Sequence, residues 1–574
     1  MKSNSPNTYK LEMLLAKTSK IAFRINRKSI SIAALIIAIL LSSCNSRVID
    51  LKVNIDQYQV PVLKGLGINH VLQLELCPIT GNETEITGFT FSLDGTSDLG
   101  DIKAIKILHA SKKKYFEKAE IFGQEQPPQQ LIPFKGELLI EDTTYVWVGI
   151  ELSDKANLLH KIEIRCTEIR TDRGRISPGK EGQESLQRIG VALRKHMDNH
   201  VDTYRIPGLT TTNNGTLLAV YDVRHNSSRD LQGHIDIGLS RSIDGGDSWE
   251  PMRTVLDMGE WGGLPQIYNG VSDANILVDR NSNAIFVSGL WMHGVLDKNG
   301  QWIEGLTETS DAWEHQWKNK GSQPGFGIKE TSQFLLTKST DDGQTWSEPV
   351  NLTSMCKKRE WWLWAPAPGH GITLHDGTLV IPTQGRDETG LPFSNITWSK
   401  NGGKKWQSSK PAFHNTTESM AVQLSNGSIM LNMRHNENKN NTTDSNGRAI
   451  VVTNDLGETW EKHPTSRNTL IEPKCMASLH KHTYSENGQQ KSILLFSNPD
   501  SKTTRHRMSI KVSFDDGMTW PEEYWLVLDE QKSRGYSCLT SIDENTIGIL
   551  FEGSRADMTF LKIPLSELIN PETE

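Results

Sequence analysis

Cysteine is scarce in this sequence, with six residues in a chain of 574. Five of them are widely scattered, an odd number without any Cys-x-x-Cys pair, which excludes a disulfide framework and a zinc site. Cys77 and Cys166 both lie in strand-like segments, and they are the one pair that we consider for a disulfide bond.

A concentration of positive charge is also missing. The net charge is −7 and no basic stripe runs along any segment, so nucleic acid is not expected as a partner. The sequence contains neither a glycine-rich phosphate loop nor an HExxH metal-binding motif. His480 and His482 stand close together but lack the spacing and the further ligands of a zinc site. We therefore predict chemistry without a metal or a cofactor.

The chain lacks a hydrophobic run long enough for a comfortable membrane span. Its apolar segment, residues 30–41, is shorter than the roughly 20 residues that a spanning helix needs. Seven Lys or Arg residues precede this segment, and Ser42-Ser43-Cys44 follows it at once. A basic region, a short apolar region and small residues form the pattern of an export signal.

The end of that segment, Leu41-Ser42-Ser43-Cys44, resembles a bacterial lipobox. The resemblance predicts a lipoprotein signal peptide over residues 1–44 and lipidation of Cys44. The protein would then be exported to the cell envelope and anchored to the outer membrane, facing the periplasm or the cell surface. An ordinary signal peptide with an incidental cysteine is the alternative.

What the sequence has in quantity is glycine, 46 residues, and tryptophan, 16 residues, and both recur in a repeated motif. The pattern S/T-x-D-x-G-x-T-W occurs four times, with a degenerate fifth copy, at residues 242–249, 339–346, 399–406, 453–460 and 513–520. Its Asp can accept hydrogen bonds within its own turn, its Gly takes a positive φ, and its Trp anchors the turn to the sheet. Such a recurring hairpin, the Asp box, predicts a β-propeller and has a structural role.

The region before the repeats has a different pattern of apolar and polar residues. Residues 45–170 alternate apolar and polar side chains over short stretches, as in Leu72, Leu74 and Leu76, which favours a β-sandwich. Residues 171–184 are polar and rich in glycine and charge, as expected of a linker. We therefore predict an all-β protein in which a β-sandwich-like, carbohydrate-binding-like domain precedes a six-bladed β-propeller over residues 185–574.

Arg205 raises a question of charge. It stands in Tyr204-Arg205-Ile206-Pro207, an apolar, proline-locked strand end. A guanidinium group is almost never buried without a partner. Either a carboxylate elsewhere in the chain neutralises Arg205, or the charge awaits an anion that is not part of the protein. On the inner strand of a propeller blade, this side chain would project into the central funnel.

Together with the five Asp boxes, this tetrapeptide resembles the F/Y-R-I-P signature of the sialidases, and the resemblance covers about residues 185–565. It implies an exo-α-sialidase that releases terminal sialic acids from glycoproteins, glycolipids and oligosaccharides with retention of configuration. Sialic acid carries a carboxylate at its anomeric carbon. Planar guanidinium groups match a carboxylate with bidentate, charge-assisted hydrogen bonds.

The resemblance assigns three arginines to that carboxylate. Arg205 matches the first of the family's arginines and Arg434 matches the second. Arg505 fits the third by its spacing from the last Asp box, and Arg507 is the alternative. All three are expected to reach one funnel from separate blades.

The resemblance also supplies a nucleophile and its base. Tyr536 falls where the family has its catalytic tyrosine, and Glu418 matches the glutamate that activates it. A carboxylate nucleophile would be repelled by the carboxylate of the sugar, whereas a neutral phenol would not. Glu552 matches a glutamate that holds the first arginine, and it would keep Arg205 paired while the site is empty.

The leaving alcohol needs a proton, and Asp230 matches the family's acid/base residue on a polar loop. Asp222 and Asp236 are the nearby alternatives, both in strand-like segments. Arg224 resembles a further arginine that lines the family's pocket beside the acid.

Two other functions remain open at this point. A propeller that binds sialic acid without catalysis would need the arginines but not Tyr536, Glu418 and Asp230. The same machinery could also transfer the sialyl group to a sugar acceptor or release an anhydro product. Linkage preference cannot be read from these residues.

Overall fold

The computed structural model describes residues 49–79, 83–183, 185–231, 233–263, 266–293, 322–328 and 331–570. The predicted signal peptide with Cys44 lies outside the described residues, so it stays a prediction. Nearly all regular structure in the described part is strand, which confirms the all-β class. Across these ranges, no helix combines the length and the apolar character needed to cross a membrane.

The N-terminal region forms two antiparallel sheets from short strands. The strands of this region are, in chain order, β1 (Leu51–Asp56), β2 (Val62–Lys64), β3 (Asn69–Pro78), β4 (Thr84–Ser92), β5 (Ile102–Ala110), β6 (Glu120–Ile121), β7 (Leu131–Ile140), β8 (Thr144–Leu152), β9 (Lys161–Ile162), β10 (Arg165–Thr171) and β11 (Gly174–Ile176). Nine of these strands form the two sheets, and β2 and β9 belong to neither. One sheet has the order β1-β3-β8-β5-β6 and the other the order β11-β10-β4-β7. Both sheets bury apolar side chains, among them Leu74 and Ile107 in the first and Phe89 and Phe134 in the second.

The proposed disulfide between Cys77 and Cys166 is wrong. All five cysteines of the described residues are free. Cys77 lies on β3 and Cys166 on β10, and these strands belong to the two different sheets. Alternation along each strand predicted the strands correctly but could not show which sheet each one joins.

The remaining strands are β12 (Gln187–Arg194), β13 (Thr203–Thr211), β14 (Leu217–Arg224), β15 (Ile235–Ser242), β16 (Arg253–Leu256), β17 (Asn269–Val278), β18 (Ile285–His293), β19 (Gln333–Ser339), β20 (Val350–Asn351), β21 (Leu363–Pro366), β22 (Gly369–His370), β23 (Ile372–Thr373), β24 (Leu379–Arg386), β25 (Pro392–Ser399), β26 (Gln407–Ser408), β27 (Phe413–His414), β28 (Thr416–Gln423), β29 (Ile429–His435), β30 (Ala449–Thr453), β31 (Glu461–Lys462), β32 (Ser478–Glu486), β33 (Gln489–Pro499), β34 (Met508–Ser513), β35 (Trp525–Asp529), β36 (Ser537–Asp543), β37 (Thr546–Phe551) and β38 (Met558–Pro564). Two short α-helices are described, Thr353–Cys356 and Leu565–Ile569. Short 3-10 helices lie at Leu99–Asp101, Lys113–Lys118, Asp198–His200, Trp261–Gly263, Gln266–Tyr268, Asn436–Asn438 and Glu522–Tyr524.

Pairing in the described part groups these strands into six successive antiparallel sets of four: β13–β16, β17–β20, β21 with β24–β26, β28–β31, β32–β35, and β36–β38 with β12. Neighbouring sets touch in cyclic order, through β13 with β17, β17 with β21, β24 with β28, β28 with β32, β32 with β36 and β36 with β13. This closed ring confirms the predicted β-propeller. Closure protects the sheet edges, which would otherwise offer unpaired backbone groups.

The ring closes by joining the two ends of the region. β12 pairs antiparallel with β38, so the first strand completes the last sheet. β2, from the N-terminal region, adds to β12 in parallel. The limits of 45–170, 171–184 and 185–574 for the two domains and their linker stay predictions.

The Asp boxes form the turns between the third and fourth strands of their sheets. In the first copy, Asp244 Oδ1 accepts from the backbone N–H of Ser248 at 3.0 Å, and Ser242 Oγ accepts from Gly246 N–H at 2.8 Å. Trp249 Nε1 donates to the carbonyl of Gly246 at 3.1 Å. The Asp or Asn position bonds the backbone in the same way in the other four copies, so the motif stabilises the turn as predicted.

Three inner strands depart from regular pairing at the same end of the ring. Register shifts lie between Arg205 and Gly208 on β13, between Ser272 and Asn275 on β17, and between Thr416 and Ser419 on β28. β-Bulges re-aim side chains and are common beside functional sites. This end of the ring is therefore the place to look for a site.

Candidate active site

A cavity of about 520 Å³ opens at this end of the ring. Six of the residues predicted from the sequence line it: Arg205, Asp230, Glu418, Arg434, Arg505 and Tyr536. They come from several sheets of the ring and span more than 300 positions of the chain. The two other predicted residues, Arg224 and Glu552, contact members of this set from behind.

The three arginines meet around one phenol ring. The guanidinium carbons of Arg205 and Arg505 lie 5.1 and 5.5 Å from the centroid of the Tyr536 ring. Arg434 Nη1 donates to the Tyr536 hydroxyl at 2.9 Å. Arg507, the alternative for the third position, does not line the cavity, and its Nε lies 4.0 Å from Asp500. The cavity thus concentrates positive charge where a carboxylate could lie.

Glu552 explains how Arg205 is buried. Its two oxygens accept from Arg205 Nε at 2.9 Å and Nη2 at 3.2 Å, a bidentate ion pair that is almost entirely buried. The same carboxylate accepts from the backbone N–H groups of Ile206 at 3.1 Å and Tyr536 at 3.0 Å. Ile206 adopts a left-handed backbone with φ of 62°, which is strained for a β-branched residue and is held by this network.

The hydroxyl of Tyr536 lies between a base and a cation. It donates to Glu418 Oε1, and Arg434 Nη1 donates to Glu418 Oε2. Burial raises the pKa of the Tyr536 phenol well above its ordinary value, and the Glu418 carboxylate raises it further, while Arg434 and Arg505 act in the opposite direction. The phenol is therefore neutral in the empty site, with an acceptor for its proton already in contact.

A glycine places this tyrosine. Gly535 has φ of 86°, a conformation that side chains rarely adopt. A Cβ atom there would lie 2.8 Å from Pro499 Cγ and 3.1 Å from Arg505 Cβ. The absence of a side chain at Gly535 therefore lets the chain turn while Tyr536 and Arg505 stay packed together.

Asp230 lies in the loop after β14, with 56% of its side chain exposed. Its Oδ1 accepts from Arg224 Nη1 at 2.6 Å and lies 3.6 Å from Arg205 Nη1. The partial loss of water contact in the cavity favours the neutral acid, but Arg224 and Arg205 outweigh it and hold the pKa of Asp230 below its ordinary value.

The two alternative aspartates are engaged elsewhere. Asp222 is fully buried, where its Oδ2 accepts from Arg224 Nη2 at 2.8 Å and from Ser272 Oγ at 2.6 Å. Asp236 Oδ2 lies 2.8 Å from His225 Nε2 and 3.2 Å from His234 Nε2. Of these three aspartates, only Asp230 lines the cavity.

Within the described ranges, one group offers three metal-ligating atoms close together. The donor atoms of His225, His234 and Asp236 lie within 4.8 Å of one another. The two imidazole rings stack with centroids 4.0 Å apart, and hydrogen bonding to Asp236 raises the pKa of His234. None of the three lines the cavity. The backbone N–H of His225 donates to the carbonyl of His234 at 3.1 Å, so this group joins the two ends of the loop that carries Asp230.

Comparison with known proteins agrees with this geometry. A family model for the N-terminal domain of BNR-repeat neuraminidase matches residues 50–175, and one for a BNR repeat-like domain matches residues 311–549. A sialidase of Bacteroides fragilis is 41% identical over 465 residues, which cover 81% of this chain and 80% of the relative. The chain belongs to the sialidase family. A sialidase of Paraclostridium sordellii is 27% identical and covers 61% of this chain and 81% of its own.

Solved structures show the same fold. The Hadza microbial sialidase superposes on this sialidase with a TM-score of 0.80 at 35% identity, over 90% of this chain and 99% of that one. A leech intramolecular trans-sialidase, solved with 2,7-anhydro-Neu5Ac, matches with a TM-score of 0.51 at 16% identity, over 85% of this chain and 94% of that one. The second likeness concerns the fold alone.

Sequence reasoning missed Asp273 in this sialidase. It lies on the bulge of β17 with φ of 60°, lines the cavity and accepts from Gln384 Nε2 at 3.0 Å. Burial raises the pKa of Asp273 well above its ordinary value, and the nearby carboxylates of Glu418 and Asp222 raise it further. No sequence signal marks it, because Asp273 takes on β17 the positive-φ bulge position that Ile206, and not Arg205, takes on β13.

Lys474 is a second residue of this sialidase site that the sequence did not reveal. It lines the cavity in a left-handed conformation with φ of 52°, and its carbonyl accepts from Arg505 Nη2 at 3.1 Å. Burial lowers the pKa of Lys474, and Arg434 lowers it further. Its backbone therefore orients the third arginine, while its ammonium group adds to the positive charge of the cavity.

Replacing Glu552 by glutamine is expected to lower the free energy of unfolding by about 3 kcal/mol, because the buried charge of Arg205 loses its partner. Burial opposes ionisation of Glu552, yet Arg205 and the hydrogen bonds outweigh it and hold the pKa of this carboxyl below its ordinary value. Its stabilisation is therefore complete above the pKa of unfolded glutamate, about 4.3, and is lost as the pH falls through the lower folded pKa. Denaturant titrations at pH 7 and below pH 4 should show the difference between variant and wild type shrinking in acid.

Glu567→Gln is the matched control for this substitution. The side chain of Glu567 is buried and pairs with Arg188, but neither residue lines the cavity. The Glu567→Gln variant should be less stable than wild type but keep the wild-type KM. The Glu552→Gln variant should be less stable and also have a higher KM. A Glu552→Gln variant with the stability and KM of the wild type would show that Glu552 does not hold Arg205.

Proposed function

We propose that this protein is an exo-α-sialidase that hydrolyses terminal sialic acids of glycoproteins, glycolipids and oligosaccharides with retention, through a tyrosyl-enzyme intermediate. One observation carries the proposal: three guanidinium groups surround Tyr536, whose hydroxyl contacts Glu418. A site that only bound sialic acid would need the cations but not a phenol paired with a base.

Binding begins with the carboxylate of the sugar. Arg205, Arg434 and Arg505 offer it charge-assisted hydrogen bonds, worth roughly 1.5–3 kcal/mol each. Glu552 keeps Arg205 paired and oriented before the ligand arrives, so little reorganisation is needed on binding. Asp273, with its raised pKa, adds an uncharged carboxyl group that can bond neutral hydroxyl or amide groups.

The phenol then attacks the anomeric carbon. Glu418 accepts the proton of the Tyr536 hydroxyl while the oxygen forms a bond to carbon, and the glycosidic bond breaks on the opposite face. The arginines offset the negative charge that develops on the phenol oxygen. A second displacement by water at the same carbon returns the hydroxyl to Tyr536 and gives net retention.

Asp230 serves the leaving group in this scheme. It donates a proton to the departing glycosidic oxygen in the first step and takes a proton from water in the second. In the empty site, Arg224, Arg205 and Arg434 favour its ionised form. A bound carboxylate offsets the charge of Arg205 and Arg434, so substrate binding raises the pKa of Asp230 and readies it as an acid.

Replacing Asp230 by asparagine is expected to lower kcat/KM for sialyllactose by about 10²- to 10⁴-fold, the usual contribution of general acid catalysis. The aryl group of a substrate such as 4-methylumbelliferyl sialoside can leave as a phenolate without protonation. The kcat/KM of the variant for that substrate should therefore fall by less than about 10-fold. Initial rates for both substrates with one preparation of the variant provide the internal control. An equal loss for the two substrates would assign Asp230 a role other than proton transfer.

The reaction itself is tested by time-resolved NMR of sialyllactose hydrolysis. Retention predicts that the α-anomer of free sialic acid forms first and then mutarotates. If the β-anomer forms first, the reaction is not a double displacement. An anhydro product or a sialylated acceptor would instead show that the enzyme catalyses one of the two alternative reactions. Absence of turnover by folded protein would leave only the binding function.

Export and lipid attachment complete the proposal. They are supported by the basic and apolar segment before Cys44 and by the likeness of Leu41-Ser42-Ser43-Cys44 to a lipobox. A lipid anchor would keep the enzyme at the outer membrane, close to sialylated glycans in the surroundings of the cell.

A further inference from the structure

A second cavity, of about 390 Å³, lies at the other end of the inner strands. Thr210 lines it five residues after Arg205 on β13, and Val278 lines it five residues after Asp273 on β17. Thr540 on β36 lines it four residues after Tyr536. At about 3.3 Å per residue, the two cavities are roughly 15 Å apart along the same strands. They occupy opposite ends of the central channel.

The second cavity is positively charged. Arg280, Lys481 and Lys491 line it, and none of the described residues that line it is an Asp or a Glu. Lys491 pairs with Glu486, but the acceptors of the other two are neutral. Arg280 Nη1 donates to Asn213 Oδ1 at 3.1 Å, and Lys481 Nζ donates to the carbonyl of Gln423 at 3.1 Å. Two cations therefore face the cavity without a carboxylate to balance them.

The floor of this cavity contains a buried acceptor without a partner. His370 is 6% exposed, and its Nδ1 lies 3.0 Å from the carbonyl oxygen of Gly371. A carbonyl can only accept, so Nδ1 carries the proton and Nε2 carries a lone pair. Nε2 is buried and has no hydrogen-bond partner in the described structure. Burial lowers the pKa of His370 to about 4, so the imidazole is neutral at neutral pH and Nε2 keeps its lone pair.

These features select a ligand with both an anionic group and a hydroxyl donor. The cations need a carboxylate or a sulfate, and an unpaired buried acceptor is costly until a hydroxyl or another donor reaches it. The volume falls within the range of small-molecule sites. We propose that this cavity is a second binding site for an acidic sugar, with its carboxylate or sulfate on Arg280 and Lys481 and a hydroxyl group on His370 Nε2.

Calorimetric titration of the full chain tests this site. N-acetylneuraminic acid and glucuronic acid represent carboxylated sugars, galactose 6-sulfate a sulfated sugar, inorganic sulfate the bare anion, and N-acetylglucosamine a neutral sugar. Titration is done on Arg434→Gln, which weakens the catalytic pocket, with and without Arg280→Gln/Lys481→Gln. At least one acidic sugar should bind with the two cations present and bind at least tenfold more weakly without them.

Two controls separate this site from the catalytic one. In a protein that keeps Arg434, the double substitution Arg280→Gln/Lys481→Gln should leave kcat/KM for an aryl sialoside within about twofold of wild type. The reason is that neither residue lines the catalytic cavity. Lys103→Gln/Lys405→Gln, which removes two charges outside both cavities, should bind the acidic sugar as the parent does. His370→Gln should reduce the preference for acidic sugars over inorganic sulfate.

Three results would overturn the proposal. The first is the same affinity for acidic sugars with and without Arg280 and Lys481. The second is binding of inorganic sulfate alone, which would leave an anion site without sugar recognition. The third is binding of N-acetylglucosamine as tightly as of the acidic sugars. Each result concerns the far end of the channel, so none of them tests the hydrolytic function, which has separate experiments.

Discussion

Replacing Tyr536 by phenylalanine is expected to lower kcat/KM for an aryl sialoside by roughly 10⁴-fold or more, as removal of a catalytic nucleophile does in other enzymes. The ring stays in place, so Arg205 and Arg505 keep their contacts with the aromatic ring. Only the attacking oxygen and its hydrogen bonds to Glu418 and Arg434 are lost. Stopped assays with enzyme at micromolar concentration can measure a loss of this size.

Binding provides the contrast for this variant. The three arginines remain, so titration with a sialic acid analogue should give a Kd within about tenfold of wild type. Tyr204→Phe is the matched control, because Tyr204 is also buried and its hydroxyl donates to the carbonyl of Asp198 at 2.8 Å, outside the cavity. That variant should lose stability but little activity. Turnover by Tyr536→Phe within tenfold of wild type would rule out a tyrosyl intermediate.

The architecture could be predicted because it repeats. Each Asp box closes its turn with bonds between residues at most four positions apart, such as Ser242, Asp244 and Gly246. Local interactions of this kind depend on a short stretch of sequence alone. Five copies along the chain then imply a ring of similar sheets, and the described strands form such a ring.

The site was predicted as far as the resemblance extended. Arg205, Arg434, Arg505, Tyr536, Glu418 and Asp230 were named from matched motifs, and the structure brings them to one cavity. Spacing from the last Asp box favoured Arg505 but left Arg507 as the alternative, since both lie in one polar segment. The choice depends on tertiary contacts, because Arg505 is held by the carbonyls of Arg534 and Lys474 from other parts of the chain.

Features that arise from convergence of distant strands could not be predicted. Asp273 looks like one polar residue in an inner strand, and its role at the cavity appears only when the bulge of β17 is seen beside that of β13. His370 stands among glycines and prolines in the sequence, and nothing there marks a site. The structure places it in a short strand at the far end of the channel, beside cations from other sheets. Such groupings are set by the closure of the ring.

Replacing Glu418 by glutamine is expected to lower kcat/KM by about 10²- to 10⁴-fold, the range for loss of a general base. The phenol keeps its position but loses the group that takes its proton. The electrostatics change in the opposite sense. Glu418 is one of the causes that raise the pKa of Tyr536, whereas Arg434 and Arg505 lower it. Without the carboxylate, burial still raises the pKa of the phenol, but the cations are no longer opposed by Glu418, so the phenol should ionise at lower pH than in wild type.

Two measurements distinguish these effects. Ultraviolet difference titration of Glu418→Gln against Glu418→Gln/Tyr536→Phe isolates one phenol from the ten tyrosines of the chain, and its midpoint should lie below that of the corresponding wild-type pair. Formate added to Glu418→Ala should restore part of the activity by replacing the missing carboxylate. If Glu418→Gln retains wild-type kcat/KM, Glu418 does not take the proton of Tyr536. If its phenol titrates at higher pH than in wild type, Glu418 does not raise the pKa of Tyr536. After the first result, the proton would have to leave by another route. The nucleophile would then need another base, and no other Asp or Glu among the described residues is hydrogen-bonded to the Tyr536 hydroxyl.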